Sequence, residues 1–133
     1  VEVSYVPPPA VDAVWESLRP QILKALSKGQ GRHYTEEFYK SNLMNGQMLM
    51  LAAADGSLVA CGILSIQDRP GGLVVFVELL AGERMGDWLP AVEDFLHKYK
   101  DQIGATTIEA SCRPGLVKKL TNWRPVAVVM EMK

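Results

Sequence analysis

Cysteine and histidine are scarce in this chain: of its 133 residues, two are Cys and two are His. Cys61, Cys112, His33 and His97 show neither a CxxC pair nor paired Cys/His spacing, so the sequence offers no ligand set for a metal and no disulfide framework. Both cysteines fall in apolar runs that read as strands. The expectation is two buried free thiols in a cytoplasmic protein. Long hydrophobic runs are missing too. None approaches the roughly 20 residues that cross a bilayer, no secretory pattern opens the sequence, and Pro7–Pro9 would break an amphipathic anchor. Charge of one sign is also absent. A formal net charge of −1 gives no broad field for a polyanion, which sets nucleic acid aside as a partner. No internal repeat, linker or low-complexity stretch breaks the chain, and its length suits one domain over residues 1–133 with its own core.

What is present is a regular succession of apolar patterns. Val1–Val6 reads as a strand ended by Pro7–Pro9. Val11, Trp15, Leu18, Ile22 and Leu26 then recur at helical spacing, with Pro20 inside the stripe predicting a kink or two short helices. Lys28–His33 reads as a polar loop. Thr35 is the expected N-cap of a second helix, with Glu36 and Glu37 in its first turn and Asn45-Gly46 at its end. Three apolar runs follow: Gln47–Ala54, Ser57–Ile66 and Leu73–Leu80. Asp55-Gly56 predicts a two-residue type I′ hairpin, and Asp68–Gly72 a looser turn. After a break at Ala81–Asp87, with Asp87 as the expected cap, an amphipathic helix Trp88–Ile103 carries Trp88, Val92, Phe95, Tyr99 and Ile103 on its buried face. Gly104 ends it. A strand Ala105–Cys112, a short helix from Pro114 to Leu120 and a closing strand Pro125–Met132 complete the order β-α-α-β-β-β-α-β-α-β.

A strand leading through a glycine-bearing loop into a helix start gathers unpaired backbone N–H groups, the elements of a phosphate site. The order as a whole resembles the GNAT fold of acyl-CoA-dependent N-acetyltransferases: α/β, of the α+β type, with a mostly antiparallel twisted sheet and helices on both faces. The ending Lys118-Lys119-Leu120-Thr121-Asn122-Trp123 before Val126–Met132 is similar to that family's short helix, aromatic residue and final strand. Arg113-Pro114-Gly115 makes small phage- and prophage-encoded GNAT-like proteins look closest. The resemblance implies a cleft between Leu73–Leu80 and Ala105–Cys112 for the pantetheine arm of acetyl-CoA. It implies a diphosphate loop at Gly82–Trp88. Leu79, Leu80, Gly82, Arg84, Met85 and Gly86 are the implied cofactor-binding residues. The family pattern Arg/Gln-x-x-Gly-x-Gly/Ala meets Glu83, Gly86 and Trp88 here. It further implies a small-molecule or protein amine as acceptor, a homodimer or protein partner, and Glu78 as the catalytic base. Apolar neighbours on the face of Phe76 and Leu80 would raise its pKa. Arg113–Asn122 lacks the tyrosine that often serves as general acid there. Two classes stay open: an acyltransferase, and a binding or assembly module on the same fold without catalysis.

The remaining candidates read more plainly. His97 shares a polar helix face with Glu93, Lys100 and Asp101, and Glu109 a solvated strand face with Thr107 and Ser111. His33, beside Arg32, borders the acceptor side by resemblance. Tyr34 and Tyr39 at most line that side. Arg113, Lys118, Lys119 and Arg124 form a basic cluster that meets a CoA 3′-phosphate, an acidic partner or only solvent. Met44, Met48 and Met50 read as core filling.

Overall fold

The computed structural model describes residues 1–28 and 34–133. Strand β1 (Glu2–Val6) leads through a 3-10 turn (Pro8–Ala10) into helix α1 (Val11–Lys28), followed by α2 (Glu36–Met44). Strands β2 (Leu49–Asp55), β3 (Ser57–Arg69) and β4 (Gly72–Gly82), helix α3 (Met85–Ile103) and strand β5 (Thr107–Ala110) come next, and a 3-10 turn at Pro114–Leu116 follows them. The sheet runs β1-β2-β3-β4-β5. Its first three pairings are antiparallel and the last, β4 with β5, is parallel. A parallel neighbour needs a crossover, and α3 supplies it.

Helices cover both faces, as the sequence predicts. Met50 and Ala52 of β2, with Cys61 and Ile63 of β3, pack under Trp15, Leu18, Ile22, Tyr39 and Leu43 of α1 and α2. Leu51 and Ala53, with Ala60 and Leu64, pack under Trp88, Leu89, Val92 and Leu96 of α3. That two-sided burial is why these strands read as unbroken apolar runs rather than alternating ones. Each fully buried Leu, Ile or Val contributes about 1.5–3 kcal/mol. The α1–α2 corner is held by Glu36, which accepts from Trp15 Nε1 at 2.9 Å and pairs with Arg19 Nε at 3.0 Å.

Several local readings hold. Thr35 Oγ1 caps α2 by accepting from Phe38 N at 3.1 Å. Gly104 ends α3 in the left-handed region at φ 72°. Others need correction. Pro20, on the exposed side of α1, lies inside one helix over Val11–Lys28 and does not divide it into two. The hairpin after β2 turns at Gly56 alone, φ 75°, between paired Asp55 and Ser57, with a register shift at Ala53/Ala54. The β3–β4 turn is tighter than expected: Arg69 pairs with Gly72 across Pro70-Gly71. The last predicted helix is only a 3-10 turn followed by turns to Asn122, and the predicted strand Pro125–Met132 is not a strand. A β pattern becomes a strand only by pairing, and Val126, Val128, Val129, Met130 and Met132 stand 72% to 96% exposed. The Lys28–His33 loop, with His33 and Arg32, lies outside the described residues apart from Lys28, the last residue of α1.

Candidate functional site

Strands β4 and β5 pair only from Val74–Thr107 to Val77–Ala110. Beyond that point β4 runs on to Gly82, whereas the segment after β5 leaves the sheet for the turn at Pro114. A cavity of about 370 Å³ opens where they part. One wall is Glu78–Met85 and the other Ala110–Arg113. Leu116, Leu120 and Trp123 close it on the α3 side, and Gln21, Lys24, Ala25 and Lys28 of α1 on the other. Glu93 of α3 secures the closing segment: it accepts from Trp123 Nε1 at 2.7 Å and from Asn122 Nδ2 at 3.2 Å.

The splay has a cause within β4. Ile63 pairs with Leu79 but Leu64 pairs with Val77, so Glu78 is the extra residue of a β-bulge. Val75 and Val77 face the α3 cluster, whereas Leu79 and Ala81 face the α1–α2 cluster, although all four are odd-numbered. The expected shared face of Phe76, Glu78 and Leu80 is therefore broken. Leu80 packs with the α3 cluster. Glu78 instead bonds Ser65, whose Oγ donates to Oε2 at 3.0 Å. Burial raises the Glu78 carboxyl pKa, and the Ser65 bond opposes that shift only in part. Tyr39 of α2 also lines the cavity. It is fully buried, and its hydroxyl is without a hydrogen-bond partner among the described residues. Burial, then the Glu78 charge, pushes the phenol up to about 12. The bulge hid Ser65 from the sequence reading, whereas Tyr39 holds the lining place expected of it.

At the outer end, β4 meets α3. Gly82 sits at φ 154°, and a Cβ there would fall 2.7 Å from both Ala60 Cβ and the Val59 carbonyl oxygen. Only glycine lets the strands approach this closely. Arg84, not Asp87, is the N-cap, in the left-handed region at φ 53°, and α3 begins at Met85 rather than Trp88. Asp87 lies in the first turn, donates its N–H to the Arg84 carbonyl at 2.9 Å and pairs with Arg84 Nε at 3.1 Å. Trp88 is 1% exposed, packs into the α3 cluster and donates Nε1 to the Glu83 carbonyl at 2.9 Å. It braces the loop from below and leaves the cavity open. Of the cofactor-binding candidates, Leu79, Leu80, Gly82, Arg84 and Met85 line this one cavity with Glu78; Gly86 lies inside α3 and does not.

The other candidates separate cleanly. Cys61 is buried, its thiol pushed up to about 12, but Cys112 is exposed at the cavity wall, because β5 ends two residues earlier than predicted. His97 is exposed. Glu109 is not merely solvated; it pairs with Arg69 Nη1 at 2.9 Å. Met50 is core, Met48 packs against it and Met44 is exposed. Among the described residues no cluster of three His, Cys, Asp or Glu is arranged for a metal, and no helix is long and apolar enough to cross a membrane.

No protein-family model matches the chain, and no curated protein matches it in sequence. Solved structures do match. The BH1408 protein of Bacillus halodurans, solved as a tetramutant, is 14% identical with a TM-score of 0.75, over 100% of this chain and 99% of that one. The ribosomal-protein-alanine N-acetyltransferase of Brucella melitensis is 16% identical with a TM-score of 0.69, over 98% and 100%. A predicted acetyltransferase of Clostridium acetobutylicum, crystallised with acetyl-CoA, is 10% identical with a TM-score of 0.69, over 99% and 95%. At such identities the likeness speaks for architecture. The chain has the fold of the GNAT acetyltransferases.

Proposed function

We propose that the chain transfers an acyl group, acetyl in the simplest case, from coenzyme A to a primary amine. The observation that carries this reading is the continuous cavity from the Gly82–Met85 loop to Glu78 where β4 parts from β5. The donor set fits acyl-CoA. The first turn of α3 leaves N–H groups without intrahelical partners, and Arg84 adds a guanidinium beside them. Backbone groups of Leu79 and Leu80, released from β5, suit an amide-bearing arm. Bound there, acyl-CoA supplies a thioester whose acyl carbon accepts the amine nitrogen while the thiol leaves.

The chain's own work is proton handling and positioning. Glu78 Oε1 or Oε2 takes a proton from the incoming amine, directly or through water, and the Ser65 hydroxyl keeps the carboxylate oriented. Its raised pKa brings it nearer to the working range of a general base. A non-catalytic binding module is favoured by one observation, the Arg84–Asp87 ion pair, which occupies the guanidinium. Both side chains are well exposed, and such pairs are worth only about 0–1 kcal/mol. A diphosphate can displace it.

Calorimetric titration with acetyl-CoA and CoA tests the reading, with Arg84→Glu as control. Micromolar binding weakened by the reversal is expected. A folded sample giving no heat at millimolar ligand would overturn it.

A further inference from the structure

The cavity is unevenly charged. Among the described residues its lining carries the cations Lys24, Lys28, Arg84, Arg113 and Lys119 against the carboxylates Glu78 and Glu83. Arg84 has its partner in Asp87. No carboxylate among the described residues forms an ion pair with the other four.

Those four converge from two separate segments. Lys24 and Lys28 share a face of α1 one turn apart, and Arg113 and Lys119 flank the turn after β5. Lys24, then Arg113, then loss of solvation and Lys119 lower the Lys28 ammonium below its usual range. Like charges gathered at a concave surface repel one another and focus a positive potential into it. An anion that enters relieves the repulsion.

The place of this cluster separates it from the diphosphate end. Gln21 borders both the main cavity and the neighbouring depression beside Arg84 and Asp87. Lys28 lies seven residues further along α1, roughly 10 Å at 1.5 Å per residue. Both lysines belong to the helix layer that covers the Glu78 and Ser65 side of the sheet.

We propose that Lys24, Lys28, Arg113 and Lys119 form an anion subsite for the acceptor, so that the amine presented to Glu78 belongs to a molecule carrying its own carboxylate or phosphate. This rests on the acyltransferase reading and narrows its substrate class. Polycationic amines are disfavoured by the same charges.

The test uses O-phosphoethanolamine and ethanolamine as probes, which differ in the phosphate alone. Titrated without cofactor, the full chain is expected to bind the phosphorylated probe saturably and ethanolamine at least about tenfold more weakly, a difference of about 1.4 kcal/mol. Lys28→Glu, at an exposed position, is expected to abolish that discrimination. Equal binding of the two probes, or none of the phosphorylated one, overturns the proposal whether or not acyl transfer occurs. A second arm compares CoA with 3′-dephospho-CoA. If Lys28→Glu weakens CoA alone, the cluster serves the cofactor's 3′-phosphate, and if it weakens both ligands equally it serves their shared diphosphate; either result overturns the proposal, and unchanged binding of both supports it. Failure of all CoA binding with the probe discrimination intact would sink the transferase reading and leave the anion subsite standing.

Discussion

Glu78 concentrates the chemistry of the site in one side chain. Burial raises its pKa, so the folded chain holds its proton more tightly than the unfolded chain does. The linked stability is fully present below the unfolded carboxyl value and is lost as pH rises through the folded one. A base, by contrast, works only once ionised. Transfer rate should therefore climb across the same pH range in which Glu78 begins to weaken the fold. Glu78→Gln separates the two trends. It keeps an acceptor for Ser65 and removes the charge. Turnover should fall about 10²–10⁴-fold, whereas the melting temperature at neutral pH should equal or exceed that of the parent. A variant that keeps full activity would remove Glu78 from the base role. Tyr39→Phe probes the neighbouring group: deleting a buried hydroxyl that lacks a partner should leave stability unchanged or slightly raised. A melting point several degrees lower would mean that the hydroxyl has a partner after all.

At the scale of elements, two devices hold the cavity walls. Gly82 lets β4 pass against β3, and Gly82→Ala forces a Cβ into Ala60 and the Val59 carbonyl. The expected loss is about 1–3 kcal/mol by overpacking, read as a lower denaturation midpoint with an unchanged slope. Glu93 ties the segment after β5 to α3 through Trp123 and Asn122. Glu93→Ala should cost about 1.5–3 kcal/mol, as expected for hydrogen bonds to a charged group. It should also weaken CoA binding more than a distant surface change of equal cost. How much of this was legible in the sequence follows the range of the forces involved. Thr35, Gly104 and the turn glycines act on neighbours a few residues away, and local pattern located them. The site's backbone also announced itself, because a strand, a glycine-bearing loop and a helix start are contiguous. The Glu78–Ser65 bond did not, since a bulge resets the face of every later residue in β4. Lys24 and Lys28 carried no signal in the sequence, because only the fold brings Arg113 and Lys119, from the turn after β5, to the same cavity. The closing strand failed for the converse reason: its pattern was right for β structure, but pairing is not a local property.

For the molecule as a whole, the two walls of the cavity are joined by its shortest seam. β3 and β4 are hairpin neighbours and pair from Ala60–Gly82 to Arg69–Gly72. β4 and β5 meet over Val74–Val77 only, after the chain has travelled through α3. Contacts between residues so distant in sequence form late, because the intervening loop must close first. Short, late-formed ladders also open at lower free energy than the core around them. Amide exchange should run fastest at Ile108–Ala110, slower along β4 and slowest at Ile63–Leu64. A uniform rate across the three would deny the gradient. If the gradient holds, a ligand lodged between β4 and β5 does more than occupy a hollow. It fastens the shortest ladder of the sheet, so that the protein's resistance to proteolysis and heat would track the supply of whatever it binds.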